Sequence, residues 1–131
     1  MPESINEISL GRFKFGLAYR QVPSDEGPTI HVHGPTGGSK TEEVMRFDCF
    51  KANPHYHMAF SYERNAVTPI DNPNAFAWAV GLLRSDFTKL MEQAHADAPD
   101  ARELADLDST LDRVLAGQPS PADPVLKTPN R

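Results

Sequence analysis

Apolar and polar positions alternate through the first half of the chain and then change period. In residues 12–20, RFKFGLAYR, the side chains of Phe13, Phe15, Leu17 and Tyr19 fall on one side. Lys14, Gly16, Ala18 and Arg20 fall on the other. Period two over nine residues predicts a β-strand with one apolar face. Ile5 and Ile8 ahead of it predict a short added strand or a packed arm. VPSDEGP (22–28) reads as a turn. TIHVH (29–33) predicts a second strand, with Ile30 and Val32 opposite His31 and His33. The glycine-rich GPTGGSK (34–40) predicts a hairpin loop. EEVMRFDCF (42–50) predicts a third strand, with Met45, Phe47 and Cys49 opposite Arg46, Asp48 and Phe50. KANP (51–54) is short enough to imply an antiparallel return. HYHMAFSYE (55–63) predicts the fourth strand, with Tyr56, Met58, Phe60 and Tyr62 opposite His55, His57, Ser61 and Glu63.

Beyond residue 70 the spacing becomes helical. Asp71-Asn72-Pro73 offers a capping side chain followed by proline, which predicts a helix start. Phe76, Ala79, Val80, Leu83, Phe87, Leu90 and Met91 then recur at helical spacing to about residue 95. Trp78 and Leu82 lie off that stripe, toward the second helix or a partner subunit. The second helix begins near Asp97-Ala98-Pro99, carries Leu104, Leu107, Leu111, Val114 and Leu115, and closes at Gly117. The fold class expected is α+β: an antiparallel sheet of four to five strands, with two C-terminal helices packed on its apolar face. One domain covers residues 1–117. The proline-rich segment 118–131 is expected to be an extended or disordered tail.

Composition narrows the function classes. With 131 residues, 39% hydrophobic and 24% charged, the chain suits a single globular domain. Its net charge is −5 and no basic stripe stands out, so nucleic acid is not an expected partner. No apolar run is long enough for a membrane span. MPESINEISLGRF lacks the basic-then-apolar pattern of a secretory signal. The single Cys49 fits a reducing, cytoplasmic compartment. Its strand parity assigns it to the apolar face as a buried, inert thiol.

Candidate chemistry follows from strand parity. If the apolar sets of all four strands share a face, the opposite face carries Lys14, Arg20, His31, His33, Arg46, Asp48, His55, His57, Ser61 and Glu63. Residues two apart on a strand are about 7 Å apart, and neighbouring strands about 4.8 Å. The leading expectation is therefore a metal-binding domain or small metalloenzyme. His31, His33, His55 and His57 are its ligands, and Asp48 or Glu63 serves as ligand or base. The ion would be a divalent transition metal: Zn, Fe, Mn, Ni or Cu. The alternative is a metal-free catalytic or small-molecule site on the same face. There a histidine beside Asp48 does acid–base work, and Arg20 and Arg46 hold an anionic ligand. A third reading is an accessory subunit that uses this face, or the Trp78 side, to form a homodimer. His95, at the end of the first helix, reads as structural.

Overall fold

The computed structural model describes residues 6–38, 40–58 and 67–122, and the backbone of 125–127. The fold is α+β. Six strands form an antiparallel sheet in sequence order: β1 (Asn6–Leu10), β2 (Phe13–Val22), β3 (Asp25–Pro35), β4 (Thr41–Asp48), β5 (His55–Met58) and β6 (Val67–Pro69). Two helices follow, α1 (Ala75–Gln93) and α2 (Ala101–Ala116), and a short β7 (Val125–Lys127) runs parallel to β2.

The apolar rows line up across the sheet as alternation requires. Leu17, Ile30, Phe47 and Tyr56 are successive partners in one row, and Phe15, Val32, Met45 and Met58 in the next. The predicted stripe of α1 is buried at every position from Phe76 to Met91. Phe87 meets Phe13 edge-on at 5.1 Å and Phe15 at 6.1 Å. Burial of each such side chain contributes about 2 kcal/mol. Trp78 leans on Tyr56 of β5, with ring centroids 6.1 Å apart.

Several boundaries differ from the sequence expectation. The predicted turn at 22–28 shrinks to Pro23 and Ser24, because Asp25 to Pro28 pair with Val22 to Tyr19. The short strand expected ahead of residue 12 is β1, where Ile8 pairs with Phe15, while the three-residue β6 and β7 were not expected. Phe60, Ser61, Tyr62 and Glu63 lie outside the described residues. Helix α1 begins after Asn74. Asn72 Oδ1 accepts the Asn74 N–H and Asn74 Oδ1 accepts the Ala77 N–H, so the proline precedes the cap instead of following it. Asp100 caps α2 in a reciprocal capping box with Glu103. The buried stripe of α2 is narrower than expected: Leu104 and Leu115 are exposed.

A β-bulge between β3 and β4 matters most for function. Val32 pairs with Met45 while His33 pairs with Glu43, leaving Val44 as the extra residue. Val44 and Met45 are both buried in the core. Two consecutive side chains thus turn to the apolar face, and Glu43 is shifted onto the polar one.

Candidate metal centre

The polar face is organised in cross-strand rows. Gly16, His31, Arg46, His57 and Val67 form one; Ala18, Thr29, Asp48, His55 and Pro69 form the next. The histidines at 31, 55 and 57 therefore share one side of the sheet with Asp48 and Arg46. Much of this face is buried, with Arg20, Thr29, Arg46, Asp48 and His57 all withdrawn from solvent.

Asp48 is the centre of the cluster. Its Oδ2 lies 3.1 Å from His55 Nε2 and 3.1 Å from His57 Nε2, and the two imidazole nitrogens are 3.2 Å apart. Its Oδ1 accepts from Arg20 Nη1 at 2.8 Å, and Arg46 Nε spans the carboxylate, 3.2 Å from Oδ1 and donating to Oδ2 at 3.3 Å. Oδ1 thus faces Arg20 and Oδ2 the imidazoles, with Arg46 bridging the two. Burial alone would raise this carboxyl's pKa. Hydrogen bonds from His55 and His57, with the Arg46 and Arg20 charges, outweigh burial and hold it well below the usual carboxylate range.

The loop between β4 and β5 fixes His55. Asp25 accepts the backbone N–H groups of Ala52 and Asn53, at 3.0 and 2.8 Å. The Asn53 carbonyl in turn accepts from His55 Nδ1 at 2.8 Å. With the Nδ1 proton committed, neutral His55 turns an Nε2 lone pair toward Asp48 Oδ2. Two acceptors that close repel unless a cation joins them, either a proton on His55 or a metal ion. The pKa of His55 is raised, chiefly by its hydrogen bond to Asp48. Phe50 lies edge-on to His55 at 5.7 Å, and the Arg20 guanidinium sits 5.9 Å from the same ring. Gly27 lies opposite Arg20, and a side chain there would run into the Cys49 carbonyl and the Phe50 backbone.

His31 belongs to a second group. Its Nδ1 meets Glu43 Oε2 at 2.8 Å and its Nε2 meets Thr29 Oγ1 at 3.2 Å. Burial would raise the Glu43 carboxyl, but the His31 hydrogen bond and the charges of His31 and Arg46 hold it below its ordinary value. Carboxylate, imidazole and hydroxyl follow the order of a nucleophilic triad. Thr29 is fully buried, however, and its hydroxyl donates to the Ala18 carbonyl, so the arrangement is structural. Arg46 stands between His31 and His57 in their row and divides the histidines into two groups. His33 is half-buried, opposite Lys14 and Glu43. Glu63 lies outside the described residues. Cys49 is buried in the core, and burial, with the nearby Asp48 charge, pushes its thiol up to about 12.

Sequence parity missed Glu43, Thr29, Asn53 and Asp25. Glu43 had one usable signal: the adjacent apolar pair Val44-Met45 breaks the alternation where the bulge occurs. Asn53 acts through its backbone carbonyl and the Asp25 carboxylate binds backbone N–H groups, pairings that leave no mark in side-chain patterning. Among the described residues, one group of three metal-ligating side chains converges, Asp48, His55 and His57, and it could hold a metal ion. Among the described residues, no helix is long and apolar enough to cross a membrane. Comparison with curated proteins and with solved structures gave no match. Over residues 7–116 the chain matches the Domain of unknown function (DUF7700), and it belongs to that family.

Proposed function

We propose that this domain binds a divalent transition metal through Asp48 Oδ2, His55 Nε2 and His57 Nε2. One observation carries the reading: the Asn53 carbonyl fixes His55 as the tautomer whose lone pair faces Asp48 and His57. Metal-binding histidines are commonly oriented this way, by a carbonyl on the other ring nitrogen. Arg20 holds the second carboxylate oxygen and Arg46 bridges both, so Asp48 would offer the ion one oxygen, Oδ2, in place of the Arg46 hydrogen bond. Imidazole and carboxylate donors suit Zn, Fe, Mn, Ni or Cu. His31 and His33 are not part of this ligand set.

Metal analysis of untagged protein tests the reading. About one equivalent should be found or taken up, and His55→Ala should weaken uptake about 100-fold with the fold retained. Less than about a tenth of an equivalent, with no tight uptake on reconstitution, overturns it.

A second reading rests on the arginines. Their contacts with Asp48 already compensate its charge, so a proton on His55 suffices to complete the cluster without metal. His55 and Asp48 then form an acid–base pair on a ligand-binding face. That protein would take up no metal, and binding of a small ligand would depend on His55.

A further inference from the structure

Two connections stiffened by proline meet beyond the Asp48 cluster. One is the β4–β5 loop, with Pro54; the other is the lead into α1, with Pro73. The Ile70 N–H bonds to the Pro54 carbonyl at 2.9 Å and ties the two together. A cavity of about 400 Å³ lies here, lined in part by Phe50, Ile70 and Phe76, each nearly withdrawn from solvent. That size suits a small molecule. The Phe50 ring is also edge-on to His55 at 5.7 Å, so the cavity adjoins the cluster. Asp48, His55 and His57 are not in its lining.

The lining selects by hydrogen bonding more than by charge. The Pro28 and Pro54 carbonyls already accept the Cys49 and Ile70 N–H groups. Asn72 Oδ1 accepts the Asn74 N–H, and Asn74 Oδ1 accepts the Ala77 N–H. Each of these two amides therefore has its amino group left to donate. Asp71, exposed and also in the lining, contributes acceptors. The charged side chains of the lining are Lys51 and Asp71, of opposite sign, and Lys51 Nζ also lies 3.4 Å from Glu26 Oε2. Lys51 opposes a cation and Asp71 opposes an anion. A hydroxyl both donates and accepts, so it meets the asparagine amino groups and the Asp71 carboxylate alike. A carbon skeleton suits the wall of Phe50, Ile70 and Phe76.

We infer that this cavity binds a neutral, polyhydroxylated small molecule the size of a hexose. The inference does not depend on the metal reading, since the two sites share no side chain, and either can fail without the other.

The test follows backbone amide shifts of the full chain by NMR. Glucose, galactose and mannose are titrated separately, each beside its uronate and its 2-amino counterpart. At least one neutral hexose should give saturable shifts centred on residues 49–54 and 70–76, with a Kd of about 1 mM. Its charged counterparts should bind no tighter. Asp71→Ala should weaken that binding about tenfold and leave the urea unfolding midpoint unchanged, because Asp71 is exposed. The titration of the unaltered protein stands even where that variant fails to fold. No saturable shift from any hexose up to about 100 mM, or shifts centred on other residues, overturns the inference. A charged counterpart that binds tighter than its neutral parent overturns it too, since charge would then select the ligand. Binding unchanged in Asp71→Ala removes the hydrogen-bonding basis and does the same.

Discussion

Glu103 and Asp48 are both buried carboxylates that meet arginine, at 4% and 0% exposure. Their other partners differ. Glu103 accepts the backbone N–H groups of Arg12 and Asp100, together with Nε and Nη2 of Arg12. It closes the capping box of α2 and ties that helix to the β1–β2 turn. At Gly11, in that turn, φ is +55° and a Cβ would run into the Glu103 carboxylate. All four donors are satisfied and none is a histidine. Asp48 instead gathers two arginines and two imidazoles, with no backbone N–H among these partners. Four side chains reach it from β2, β4 and β5. Backbone and arginine donors make a latch of Glu103, whereas the imidazoles at Asp48 could give up a proton to a metal.

Breaking the two carboxylates should separate these roles. Asp48→Asn removes the counter-charge that two buried guanidiniums share. It should cost about 3–5 kcal/mol in urea unfolding and abolish metal uptake. A loss under about 1 kcal/mol would show that the arginines are neutralised elsewhere. Glu103→Gln keeps the shape but places an amide against Arg12 donors. It should cost about 2 kcal/mol and leave metal stoichiometry unchanged. A change in metal uptake would break the proposed separation.

Acid should reach the latch first along a defined range. Burial opposes ionisation of Glu103, but the Arg12 and Asp100 hydrogen bonds outweigh it and hold its pKa at about 2, against an ordinary 4.5. The folded state therefore binds this proton less readily than the unfolded chain. The stabilisation is complete above about pH 4.5 and is lost as the pH falls toward 2. Glu103→Gln should flatten that part of the stability–pH curve, and an unchanged slope would assign it to other carboxyls.

The smallest effect tests a site that belongs to neither carboxylate. His95 has φ +64°, and the bonds His95 N–H to Glu92 and Ala96 N–H to Met91 form a Schellman closure of α1. The helix end thus has a structural histidine, in a backbone conformation that favours glycine. His95→Gly should raise stability by about 1 kcal/mol without affecting metal uptake. A loss of stability would show that the imidazole contributes more than the strain costs.

Much of this was legible in the chain. Strand alternation alone assigned Arg20, His31, Arg46, Asp48, His55 and His57 to one face, because neighbouring side chains on a strand point to opposite sides wherever that strand lies in the sheet. The helical stripe from Phe76 to Met91 was equally local. What alternation cannot supply is register, which depends on pairing between distant segments. The bulge at Val44 brought Glu43 to His31, and the register of β3, β4 and β5 set Arg46 between His31 and His57. The four-histidine cluster that parity permitted therefore became two groups. The Asn53 carbonyl that fixes His55 could come only from the folded loop, since every residue carries the same backbone carbonyl. The sequence determined which side chains share a face; the tertiary structure decided which of them touch.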